Sequence, residues 1–143
     1  MRPVPGIPIE GQPEGVVIRL CLWGEARGES GPGKIAVLWV LRNRALKHDT
    51  TLKAEALRPW QFSSFNANDP NREKLLTAWI EDPKGWAVCD AVAELFESVD
   101  MIDPTMGATH YFNPDVVKPE WGPGHAQWRE TARIGKHLFG VAA

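Results

Sequence analysis

Cysteine is scarce in this 143-residue chain: only Cys21 and Cys89 occur, with no C-x-x-C spacing. That excludes a disulfide framework and a cysteine-based structural zinc site. Each lies in an apolar run, so buried free thiols are expected. A cationic surplus is also missing. Sixteen Lys and Arg face 18 Asp and Glu, a formal net charge of -2, which argues against a polyanion binder, and no nucleic-acid partner is expected. No apolar run approaches the ~20 residues of a membrane span; stretches such as Ile35 to Leu41 are far shorter, so no integral membrane segment is expected. The opening MRPVPGIPIEGQPEG has no continuous apolar core and is broken by prolines. It is not a conventional secretory signal, and synthesis in the cytoplasm is expected unless the chain is cut from something larger.

What is present suffices for a folded domain. A hydrophobic fraction of 43% excludes wholesale disorder, and a chain of this length buries about two thirds of its extended surface. Pro3, Pro5, Pro8 and Pro13 mark residues 1–13 as an extended lead-in, leaving 14–143 as one domain. A first helix is predicted over 14–26, with Val17, Cys21 and Gly24 on one stripe beside Leu20 and Trp23. Ser30 is placed to cap a second helix, with Pro32 in its first turn. That helix, 33–47, carries I-A-V-L-W-V-L and reads as a central core helix; a buried strand is the rival reading. A short helix follows at 52–57, then an ordered aromatic loop over 59–68. Asp69-Pro70 and Asp82-Pro83 both read as helix starts. After the second, Trp86, Cys89, Val92, Phe96 and Val99 form an amphipathic stripe. From Asp103 turn formers dominate, and the segment T-A-R-I-G-K-H-L-F-G-V suits a short strand with His110–Phe112 as partner.

Several chemistries find little support. His110, His125 and His137 lack close ligand spacing, so no metal is assigned; Ser63 and Ser64 have no G-x-S-x-G elbow; Gly31-x-Gly33-Lys34 does not make a phosphate loop. Glu25 and Glu29 stand out. A carboxyl at the end of an apolar helix behind Trp23 is where burial raises a pKa toward that of a general acid. The plainer reading is two solvated glutamates at a helix end, with Arg27 as a partner. Seven tryptophans add a second feature. Trp60, Phe62, Phe65, Tyr111, Phe112, Trp121 and Trp128 fall in expected loops, where aromatic faces beside amides and hydroxyls suit a sugar ring. They serve equally well to roof a small core or to bind peptide.

W-G-E-A-R-G-E at 23–29, V-L-R-N-R at 40–44, Q-F-S at 61–63, G-A-T-H-Y-F-N-P at 107–114 and R-I-G-K-H-L-F at 133–139 stand in one order across nearly the whole chain. Together they resemble the SleB-type cell wall hydrolase family, which includes spore cortex-lytic enzymes and related phage lysins. The resemblance implies an α+β fold, mainly helical and lysozyme- or lytic-transglycosylase-like, with a short C-terminal β-hairpin. It also implies cleavage of peptidoglycan glycan strands by a monomer without a cofactor.

The family's catalytic glutamate maps onto Glu25. Glu29, Gln61, Phe62, Ser63, His110, Tyr111, Phe112, Asn113, Trp121 and His137 are then expected to line the substrate cleft. His110 and Lys136 depart from the residues usual in the family. The implied activity is lytic transglycosylase cleavage of the MurNAc-β-1,4-GlcNAc bond. A hydrolytic muramidase, an N-acetylmuramoyl-L-alanine amidase and a noncatalytic glycan binder are the alternatives. With no secretion signal read, a phage-encoded or co-delivered lysin acting at the bacterial wall is the better comparison.

Overall fold

The computed structural model describes residues 1–58, 65, 69 and 72–142. Among these residues six α-helices precede a small sheet: α1 (Glu14–Ala26), α2 (Gly31–Lys47), α3 (Leu52–Ala56), α4 (Arg72–Leu75), α5 (Ala78–Glu81) and α6 (Pro83–Ser98), then β1 (His110–Phe112), β2 (Arg129–Ile134) and β3 (His137–Val141). No helix among the described residues is long and apolar enough to cross a membrane.

α1 is the most enclosed element. Every residue from Val16 to Trp23 is buried, wider than the single stripe its sequence suggests, because α2, α3 and α6 all pack against it. Its one buried charge, Arg19, ion-pairs with Asp90 and, at 2.8 Å, with Glu97 on α6. A buried guanidinium is tolerable only when paired in this way. α2 is the second core helix, with Ala36, Val37, Leu38, Val40 and Leu41 fully buried; the helix reading of I-A-V-L-W-V-L holds. Ser30 accepts a hydrogen bond from Gly33 N and Pro32 lies in the first turn, as the capping pattern requires. Asp82 caps α6 through Gly85 N, again with Pro in the first turn. The buried stripe of α6 is Trp86, Cys89, Ala93 and Phe96. Val92 is only half-buried and Val99 lies beyond the helix end, exposed. Both cysteines are free and buried, and burial pushes the Cys89 thiol up to about 11 and Cys21 well above its usual value.

Residues 1–13 are extended in part and also carry a 3-10 turn at Ile9–Gly11. Gln12, fully buried, accepts from Val4 N and donates to the Val4 and Ile7 carbonyls. Trp86 Nε1 donates to Met1 O, and Ile9 enters the core. At the other end, T-A-R-I-G-K-H-L-F-G-V is not one strand but two, turned at Gly135, whose φ is +58°, a conformation glycine adopts freely. The hairpin grows to three antiparallel strands in the order β1-β3-β2. His110–Phe112 does pair with the final strand, in the register His110↔Gly140, Tyr111↔Phe139 and Phe112↔Leu138.

Strand side chains alternate between faces, and cross-strand partners share one. Tyr111, Phe139, His137, Ala132 and Ile134 therefore share the inner face, where Phe139 packs on Ala36 and Val40 of α2. His110, Phe112 and Leu138 occupy the outer face.

Candidate active site

Glu25 occupies the last turn of α1 and is half-buried. The connection it leads into is trussed from several sides. Arg27 donates to Trp23 O at 3.1 Å while its guanidinium stands 4.2 Å above the Trp23 ring, a cation–π contact. Trp23 Nε1 in turn donates to Asp82 Oδ2 at 3.0 Å. Glu29 N donates to Ala26 O. Beneath the turn lies Lys34, only 4% exposed, whose Nζ donates to Arg27 O at 3.2 Å and to Glu29 O. An ammonium at a helix C-terminus satisfies carbonyls that lack intrahelical partners and complements the helix dipole.

Glu29 Oε1 lies 2.7 Å from His137 Nδ1, with the two side chains 13% and 14% exposed. The contact is close but not aligned as a hydrogen bond: neither atom has a hydrogen-bond partner among the described residues. Burial lowers the His137 pKa, and the Glu29 carboxylate pulls partly against it. His137 meets the Tyr111 ring edge-on at 5.0 Å, and Tyr111 stacks on Phe139 at 5.7 Å. Burial, reinforced by the negative charge of Glu25 and Glu29 and opposed by Arg44, raises the Tyr111 phenol far above its usual value. Tyr111 therefore keeps its proton and stands within the electrostatic reach of both glutamates.

The segment bearing Tyr111 is fastened to α2. Asn43 Nδ2 donates to Asp103 Oδ2 at 2.8 Å and to Ala108 O at 2.9 Å, and Arg44 Nε donates to Thr109 O. Asp103 also accepts from Thr105 and from Gly107 N. Burial raises the Asp103 carboxyl, but these donors outweigh it and hold it below its usual range. V-L-R-N-R and G-A-T-H-Y-F-N-P, far apart in sequence, thus dock directly.

The structure brings Glu25, Glu29, Tyr111 and His137 into one neighbourhood. It sets His110, Phe112 and Trp121 apart on the outer face. There Trp121 contacts His110 at 4.8 Å and Phe112 at 5.6 Å, and Trp128 completes the group. Burial, with Arg44 and Lys47 nearby, drops the His110 pKa to about 4, so its ring is neutral at pH 7. Asn113 turns its Oδ1 onto Asp115 N at 2.9 Å, shaping its own loop. Gln61, Phe62 and Ser63 lie outside the described residues. Just before them, buried Glu55 anchors α3 through His48 Nδ1 at 2.9 Å and Arg58 at 3.6 Å. No cluster of metal-ligating residues occurs among the described residues.

Sequence reasoning missed Lys34, Asn43 and Arg44. The last two belong to V-L-R-N-R, and their place in that motif was their only signal. An apolar groove of about 620 Å³ between Pro32, Ile35, Leu95 and Ile134 has no titratable residue on its walls.

The Cell Wall Hydrolase family matches residues 28–140; Glu29, Tyr111 and His137 fall inside the match and Glu25 just before it. Among curated proteins, the spore cortex-lytic enzyme of Halalkalibacterium halodurans is 32% identical over 82% of this chain, and that of Bacillus subtilis 29% over the same share. The matched region spans about a third of each relative's length, 32% and 34%. The solved catalytic domain of the germination-specific lytic transglycosylase SleB from Bacillus anthracis superposes with a TM-score of 0.65. That superposition covers 96% of this chain and 99% of the neighbour at 23% identity. At that identity the likeness establishes the fold: mainly helical, with a small C-terminal sheet, as in that lytic transglycosylase. With the family match covering most of its length, this chain belongs to the Cell Wall Hydrolase family.

Proposed function

We propose that the protein cleaves peptidoglycan glycan strands between N-acetylmuramic acid and N-acetylglucosamine, as a lytic transglycosylase with Glu25 as its acid and base. Protonated Glu25 donates to the glycosidic oxygen as the C1–O bond breaks and positive charge develops at C1. The resulting carboxylate then takes the proton of the muramoyl C6 hydroxyl, whose oxygen bonds to C1. The product is a 1,6-anhydro end, the proton returns to Glu25, and no water is consumed. Tyr111, held protonated, offers an O–H donor to the sugar.

The observation that carries this reading is the engagement of Glu29 by His137. Hydrolytic glycosidases generally need two carboxylates flanking the bond. Glu29, the near second carboxylate, is engaged by His137 at 2.7 Å, which favours a mechanism with one catalytic carboxylate. Likeness to spore cortex-lytic enzymes in sequence, and to a lytic transglycosylase domain in fold, agrees with a wall-lytic activity. Mass analysis of digested wall fragments tests it. Anhydromuramic ends are expected. Reducing muramic ends would replace this reading with a hydrolytic muramidase, and newly freed L-alanine amino termini with an amidase.

A further inference from the structure

The contact between Glu29 and His137 joins two parts of the molecule that are remote in sequence: the turn leaving α1 and the first residue of β3. Three further observations give it a direction. Lys34 holds the turn from below through the Arg27 and Glu29 carbonyls, so the Glu29 backbone is fixed. The hairpin turn sits directly against the same corner: a Cβ placed on Gly135 would stand 3.9 Å from Glu29 Oε1 and from Ser30 Oγ. On its other side the His137 ring abuts Tyr111 at 5.0 Å and Phe139 at 6.2 Å, edge-on to both. The chain of contacts runs Lys34, Glu29, His137, Tyr111, whose phenol feels the charge of Glu25.

We propose that the Glu29–His137 contact is a latch that docks the α1–α2 turn onto the inner face of the sheet, making His137 a positioning residue that fixes Tyr111 relative to Glu25. The inference rests on the reading of Glu25 as the catalytic acid, but the latch itself is a property of the substrate-free protein. The titratable and charged groups around this corner are Glu25 and Cys21 on α1, Lys34 and Arg44 on α2 and Tyr111 on β1. Of these, Glu25 and Tyr111 carry the proposed chemistry.

Two substitutions of His137 separate a latch from simple ring packing. H137F keeps a ring against Tyr111 and Phe139 but has no polar atom to meet Glu29. H137N gives up the ring but places a polar amide close to where Nδ1 stood. A latch predicts that H137F lowers kcat by about 10²-fold, the scale of a 1 Å misplacement, with KM little changed, and that H137N recovers most of the loss. The reverse ranking would overturn the latch in favour of packing. In a double-mutant cycle, E29Q with H137F should cost no more than H137F alone, and additive losses would overturn the coupling. Nuclear magnetic resonance of the substrate-free protein gives a readout independent of activity. The Nδ1 resonance of His137 should move in E29Q; an unmoved resonance would overturn the latch. If the resonance moves while the wild-type protein releases no glycan fragments, the latch stands and the proposed function falls.

Discussion

The two faces of the three-stranded sheet carry aromatic residues of the same types and are put to different uses. The inner face sets Tyr111 and His137 against carboxylates and α2. The outer face sets His110 and Phe112 against Trp121 and Trp128, ring on ring. Polar groups inside the fold need partners, and on the inner face Tyr111 and His137 stand among charged groups that shift their own pKa values. The outer face supplies mostly carbon. Its aromatics pack on one another in a partly buried cluster, so one aromatic-rich motif serves two environments. Alternation along one three-residue strand divides H-Y-F between two environments.

The widest gap between the faces should be seen in stability. Phe112 is nearly enclosed, so Phe112→Ala should cost about 3–5 kcal/mol of unfolding free energy while the folded fraction keeps its kcat; denaturant titration with a parallel activity assay reads both. A kcat that fell with stability unchanged would place Phe112 in the cleft and erase the distinction. Tyr111→Phe keeps the stack on Phe139 and removes only the hydroxyl. It should lower kcat by about 10²-fold, the loss typical of one well-placed donor, with little change in melting temperature.

The outer face also predicts a pH effect. His110 has its pKa lowered to about 4 from 6.5, so the folded state binds fewer protons than the unfolded state between those values. The contribution is therefore complete above pH 6.5 and is lost as pH falls toward 4, by up to about 2–3 kcal/mol once solvent screening of the half-buried ring is allowed for. His110→Asn should flatten that part of a stability–pH curve, and an unaltered curve would contradict the assignment. The smallest effect belongs to Gly140. A Cβ there would meet Trp128 Cη2 at 2.3 Å and Arg129 O at 2.6 Å, so Gly140→Ala should displace the indole and cost about 1–3 kcal/mol. Loss of the Trp128 fluorescence environment would report it.

Much of the helical frame was legible because its signals are local. Ser30 with Pro32, and Asp82 with Pro83, each announce a helix start by chemistry contained within a few residues. The enclosure of α1 was not legible, since a helix surrounded by three others shows its burial only after they assemble. Buried Arg19 was hidden for the same reason, its partners Asp90 and Glu97 lying on α6, while Gln12, Lys34 and Glu55 are held by groups within eight residues that carry no recognisable motif. For the site, family resemblance supplied Glu25, but the partnership of Glu29 with His137 joins residues more than a hundred positions apart and no periodicity points to it. The separation of Tyr111 from His110 and Phe112 was implicit in strand alternation once H-Y-F was read as a strand.

The most direct measurement of the central claim is wall clearing by Glu25→Gln, made beside the wild type with circular dichroism and thermal unfolding on both proteins. The amide keeps the shape and loses the transferable proton. The account predicts an intact fold and a loss of clearing of about 10²–10⁴-fold. Clearing near the wild-type rate by the folded variant would contradict it and remove Glu25 from the reaction.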